Sequence, residues 1–272
     1  MRKDDLHIII FILSAAILLF FAPIGKAKAQ EAGWNVVALG DSNTSIGGDE
    51  CNLERGWTYW FKQRVRPRSM RSYARSGATW TNTLRTRLDT ESYTEVLADG
   101  NVVYNQVQRL MKACSQGSQP KPDIIIIAAG TNDAWFKQRR PGLFQKTAAD
   151  AFQKTAAQIR AQKPSETLTL AESVRQNVEL LIDAFPDARV ILLTPMQTTK
   201  APYTDTERVG DVIERVGQRM AVPVIRQDHI TGVYREREAQ KPRLTADGTH
   251  TSPEGARRNG LLLAKIVEGL MW

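Results

Sequence analysis

Four short segments, far apart in the chain, carry residue types suited to ester chemistry: Gly40-Asp41-Ser42-Asn43, Ser76-Gly77, Gly130-Thr131-Asn132-Asp133 and Asp247-Gly248-Thr249-His250. Ser42 offers a hydroxyl, a poor nucleophile until a base takes its proton. Beyond the N-terminal segment the histidines are His229 and His250. Asp247 precedes His250 by three residues, so a turn can return its carboxylate to the imidazole, fixing the tautomer and stabilising the imidazolium. Asp228 is adjacent to His229, and adjacent side chains usually diverge, so His250 is the candidate base. A tetrahedral intermediate also needs donors aimed at its oxyanion. The Asn132 amide, the Gly77 backbone N–H with no side chain in the way, and the Ser42 N–H can supply them. Each residue alone has a plainer reading: a helix cap for Ser42, turn residues for Asn132 and Gly77, a surface turn for His250. Their joint occurrence points to a serine esterase.

The elements that must position these residues alternate between two patterns. Short apolar runs at 35–39, 70–74, 124–129, 190–193 and 222–225 read as strands, with Pro223 suiting an edge. Helical spacing marks 57–65, 102–114, 170–185, 206–220 and a last helix after Pro253 that carries Leu261 to Leu270. Continuous apolar strands separated by helices predict a doubly wound α/β sandwich, which binds ligands at the carboxyl ends of its strands. Between these elements, residues 137–168 form an insert. Within it Phe144-Gln145-Lys146-Thr147-Ala148-Ala149 is echoed by Phe152-Gln153-Lys154-Thr155-Ala156-Ala157. The expectation is one amphipathic helix, either a packed surface helix or a lid or wall over the site.

Ser42, Gly77, Asn132 and His250 stand in the order of the four residues that name the SGNH, or GDSL-type, hydrolases. From about residue 34 to the C-terminus, the insert excepted, the chain resembles that family. The resemblance implies a flavodoxin-like three-layer α/β/α sandwich with a mainly parallel five-stranded sheet. It implies Ser42 as nucleophile, His250 as base, Asp247 as its orienter, and Ser42, Gly77 and Asn132 as oxyanion donors, with no cofactor and no metal. Asn43 departs from the leucine of the name motif, and Gly77 is assigned by its place between the first and third blocks.

The resemblance leaves the ester open. Trp57, Tyr59, Trp80 and Trp135 border the expected site. Trp80 and Trp135 are candidates for stacking on a sugar face, against core packing as the alternative. The favoured substrate is a small-molecule or glycan ester with a short acyl group, foremost an O-acetylated carbohydrate. A lysophospholipase or lipase using the same residues is the alternative, and a non-catalytic glycan-binding module is a third reading.

Composition sets the surroundings. The 272 residues are 42% hydrophobic and 24% charged, which is ordinary for a globular protein. At the N-terminus Arg2 and Lys3 precede an apolar run from Ile8 to Ala22, then Ala27-Lys28-Ala29. These are the marks of a secretory signal peptide cleaved near Ala29, leaving a single domain at 30–272 in a periplasm or outside the cell. The apolar run is short for a membrane span, so the expectation is a cleaved signal, not an anchor, with no stable membrane insertion afterwards. Removal of residues 1–29 takes the formal charge from +8 to +6. That balance suits a solvated surface or attraction to an acidic glycan, and no nucleic-acid module is recognisable. Export permits a Cys51–Cys114 disulfide. The expected topology instead sets the two at opposite ends of the sheet, beyond the ~7 Å that a bridge spans. With no histidine near either, they form no zinc site.

Overall fold

The computed structural model describes residues 32–91 and 95–271. The expected signal peptide at 1–29 lies outside them. In chain order the elements are β1 (Ala32–Gly40), α1 (Ser42–Ser45), α2 (Trp57–Val65), β2 (Pro67–Ser72), α3 (Val103–Ser115), β3 (Ile124–Ala128), α4 (Thr131–Trp135), α5 (Ala148–Ala151), α6 (Ala156–Ala161), α7 (Leu170–Ala184), β4 (Arg189–Leu193), α8 (Tyr203–Arg219), β5 (Val224–Ile225), α9 (Gln227–Ile230), α10 (Arg235–Gln240) and α11 (Pro253–Leu270).

The strands form one parallel sheet in the order β2-β1-β3-β4-β5. Central β3 is buried along its whole length because its isoleucines feed both faces. Successive side chains of a strand point to opposite faces. Val37, Leu39, Ile125, Ile127, Val190 and Leu192 therefore meet α3, α7 and α8 on one side. Val36, Ala38, Ile124, Ile126, Ile191 and Leu193 meet α2 and α11 on the other. Burying each large side chain contributes about 1.5–3 kcal/mol, so this double-sided core is a rigid base for the loops at the strand ends. β1 and β3 are in register from Val36↔Ile124 to Gly40↔Ala128, which brings the residues after Gly40 and after Ala128 to the same edge. This is the α/β sandwich expected from the sequence.

Two expectations change, and the cysteines follow the separation that the expected topology gave them. β2 is Pro67–Ser72, not 70–74: its last partner on β1 is Ala38, and the chain then leaves the sheet. The insert is not one helix. Thr147 caps α5 in a reciprocal box with Asp150, and Thr155 caps α6 in the same way with Gln158, so the echo is a repeated helix start. Its aromatics are pinned by cations of α7 and α8, with Arg208 4.1 Å from the Phe144 ring and Arg175 4.3 Å from Phe152. Packing of this kind favours a fixed wall over a lid. Lastly, Cys51 and Cys114 are free. Cys51 packs in the core on the α2–α11 face and Cys114 against the core on the opposite face, with the sheet between them.

Among the described residues no helix is long and apolar enough to cross a membrane.

Candidate active site

Ser42 sits where β1 ends. Gly40 has φ +143°, and a Cβ there would lie 2.0 Å from the Ala128 carbonyl oxygen, so only glycine fits. Gln106 of α3 locks this glycine, accepting from its N–H at 2.8 Å and donating to its carbonyl at 2.9 Å. Asp41 then caps α1, accepting from Asn43 N at 3.1 Å. Burial pushes the Asp41 carboxyl up to about 6. The Asn43 N–H, the Thr131 hydroxyl and the attraction of His250 pull the other way.

The Ser42 Oγ lies 2.9 Å from His250 Nε2. The other ring nitrogen, Nδ1, lies 2.7 Å from Asp247 Oδ2. Asp247 Oδ1 accepts from the backbone N–H of Thr249 at 3.0 Å and of His250 at 2.8 Å, which bends the chain into the turn that brings carboxylate to ring. Burial opposes the ionised form of Asp247. The His250 ring and these two N–H groups outweigh it and hold the carboxyl below its ordinary value. Gly248, at φ +86°, lets the turn pass Thr199: a Cβ there would lie 2.0 Å from the Thr199 hydroxyl. His229 instead lies beside Asp228, whose carboxylate is taken by Arg226 and Thr194.

On the other flank, Asn132 in α4 donates from Nδ2 to the Ala78 carbonyl at 2.9 Å. That bond uses one of its two amide hydrogens. Gly77 adopts φ +80°, and its Cβ position is closed by Val96 and Leu97. Among the described residues neither the Gly77 N–H nor the Ser42 N–H has an acceptor. Serine, histidine, aspartate and three available donors can therefore attack an acyl carbon and hold the resulting oxyanion.

The aromatic expectations fare differently. Trp80 is fully buried and donates from its indole N–H to the Ala129 carbonyl at 3.1 Å, so it is a core residue and presents no face to a sugar. Trp57 is likewise buried and bonded to Thr44. Trp135 is partly exposed, stacked on Phe136 with centroids 4.8 Å apart, and Tyr59 is partly exposed.

Four residues that carry the geometry were not legible as such. Asn43 donates from Nδ2 to the Thr249 carbonyl at 3.3 Å and accepts from Thr251 N at 3.2 Å, gripping the peptides on either side of His250. Asp133 accepts from Trp80 N at 2.9 Å, Thr81 N at 3.0 Å and the Thr81 hydroxyl at 2.6 Å. Glu238 of α10 accepts from the N–H groups of Arg243, Leu244 and Thr245 and from the Thr245 hydroxyl, fixing the start of the histidine turn. Gln106 is the fourth.

The model of the GDSL-like lipase/acylhydrolase family matches residues 38–258, and the chain belongs to that family. It is by family a hydrolase of esters. Among curated proteins no sequence matches it. Similar solved structures share its fold at low identity. A possible lipase from Chitinophaga pinensis is 16% identical with a TM-score of 0.54, covering 87% of this chain and 98% of its own. A protein from Lactobacillus plantarum is 14% identical with a TM-score of 0.57, covering 88% and 98%. A candidate GDSL-like lipase from Bacteroides uniformis is 16% identical with a TM-score of 0.53, covering 87% and 97%.

Proposed function

We propose that the protein is an exported serine esterase that removes short acyl groups, foremost acetyl, from carbohydrates. The observation that carries this reading is the hydrogen-bonded line from Ser42 through His250 to Asp247. Ser42 Oγ attacks the ester carbonyl as His250 Nε2 takes its proton. The oxyanion rests on the N–H groups of Ser42 and Gly77 and the Asn132 amide. His250 returns the proton to the leaving alcohol, and acyl-Ser42 remains. Water, deprotonated by His250, then attacks the acyl carbon. Acetate leaves and the proton returns to Ser42. The short acyl group is favoured because a cavity of about 820 Å³ is lined by arginines and threonine as well as apolar side chains, a poor tunnel for a long chain. The partly exposed rings of Trp135 and Tyr59 supply faces for a sugar.

The test is turnover of nitrophenyl acetate and nitrophenyl decanoate by protein beginning at Gln30, beside Ser42→Ala. The expected result is acetate release that disappears with the serine. Preference for decanoate would replace the carbohydrate reading by a lipolytic one, and Ser42→Ala at parental activity would end the serine mechanism.

A further inference from the structure

A cavity of about 820 Å³ begins at Asn82, next to the Trp80–Thr81 pair that Asp133 anchors, and is walled by Arg85, Arg139, Arg140, Asp99, Leu97 and Leu168 among others. That volume is in the range of pockets that hold whole organic ligands. Its charge is unbalanced: three guanidinium groups face one carboxylate. Asp99 is satisfied by Arg85 Nε at 2.8 Å and the Thr83 hydroxyl at 2.7 Å.

Arg140 is the telling residue. It is 5% exposed, yet among the described residues it makes no direct ion pair, although its charge is felt by the Asp99 carboxylate. It donates only to neutral acceptors, from Nε to the Thr81 carbonyl at 3.3 Å and from Nη2 to the Thr79 hydroxyl at 2.9 Å. An arginine has five N–H donors in a planar fork, so most of this one's capacity is unspent. A buried charge is costly unless it is paired. Arg139, next to it on the rim, is exposed and makes no ion pair among the described residues. Two guanidinium-bearing residues lining one cavity without a direct carboxylate partner among the described residues suit a carboxylate or sulfate, which a guanidinium fork can take bidentately. The apolar wall, Leu97 and Leu168 with Pro141, suits the flat face of a sugar ring.

The cavity is tied to the active site through covalent neighbours. Arg140 holds Thr79 and Thr81, and the same short segment contains Gly77 and the Ala78 carbonyl that anchors Asn132. Leu97, in the cavity wall, is also one of the two residues, with Val96, that close the Cβ position of Gly77. We propose that this cavity is a subsite for an acidic oligosaccharide, with Arg139 and Arg140 taking the carboxylate or sulfate of a sugar unit near the esterified one. The proposal rests on the esterase reading and narrows its substrate to acylated acidic glycans.

The test is calorimetric binding of unacylated oligomers to the protein beginning at Gln30, which separates binding from turnover. The probes are a galacturonate hexamer, a sulfated galactose hexamer, a neutral xylose hexamer and inorganic phosphate. The expected result is that one acidic hexamer binds at least about tenfold tighter than the neutral one, the scale of one charge-assisted bidentate pair. Its affinity should fall with added salt and fall severalfold in Arg139→Gln and in Arg140→Lys, which keeps the charge but loses the fork. Whether galacturonate or the sulfated hexamer wins identifies which anion is read. Equal affinity for acidic and neutral hexamers overturns the proposal, as does unchanged affinity in Arg139→Gln, or phosphate binding as tightly as the hexamers. Acid-selective binding without turnover of any ester would sink the esterase reading and leave the subsite standing. Turnover without acid-selective binding would do the reverse.

Discussion

Asp133 receives Thr81 twice on one oxygen, from its backbone N–H at 3.0 Å and from its hydroxyl at 2.6 Å, while its other oxygen takes Trp80 N. Asp133 follows Asn132, and Thr81 lies four residues past Gly77, so the two proposed oxyanion donors, from the loop after β2 and the helix after β3, are bound into one unit. Asp133→Ala leaves these buried donors unpaired, at about 1–3 kcal/mol. The expected result is a Tm lower by roughly 2–12 °C in a domain of this size, with a fall in kcat. A variant that keeps its kcat while losing stability would show that the donors do not depend on this anchor.

Asn43 tests what the name motif's leucine lacks. Asn43→Leu removes both bonds to the peptides flanking His250. The side chain touches no reacting atom, so the loss belongs in kcat, not KM. A misplacement costing about 1.4 kcal/mol in the transition state gives a tenfold fall. A kcat within about twofold of the parent, at unchanged pH profile, would remove Asn43 from the machinery.

Asp41 gives a pH signature. Its carboxyl ordinarily titrates at 3.8 and here at about 6, so the folded state holds the proton more tightly. Folding therefore gains from this group below 3.8 and loses progressively as pH rises from 3.8 to 6, by up to about 3 kcal/mol in total. Asp41→Asn cannot ionise. Its Tm relative to the parent should be higher at pH 8 than at pH 4, measured by scanning calorimetry. A difference that does not vary with pH refutes the buried charge.

Glu238 is buried against four donors of the 243–245 segment. Glu238→Ala should cost on the order of 2 kcal/mol or more in stability and lower kcat, because the Asp247–His250 turn begins two residues later. Faster amide exchange at 243–250 is the direct readout. Protection equal to the parent's would mean the turn stands without the glutamate.

What could be read from the sequence, and what could not, follows a physical division. The isoleucine run of β3 and the apolar stripes of α3, α7 and α8 announce themselves because periodicity is local. Ser42, Asn132 and His250 stood out as candidates because ester chemistry restricts residue type, and the structure brings Ser42, His250 and Asp247 into one hydrogen-bonded line. Trp80 was misread because a tryptophan near a site looks the same in sequence whether it faces solvent or core, and a single indole bond to Ala129 decides it. The insert was misread as one helix because the apolar spacing continues through Thr155, whose capping box starts a new one. Glu238 and Asn43 act through backbone groups distant in sequence, and partners of that kind leave no pattern at either end.

The 208 positions between Ser42 and His250 set an order of events. During synthesis the nucleophile, β3 and its asparagine emerge first, and the base emerges after β5 and α10. The line from Ser42 through His250 to Asp247 therefore joins the beginning of the described chain to its end, and it cannot form until both are in place.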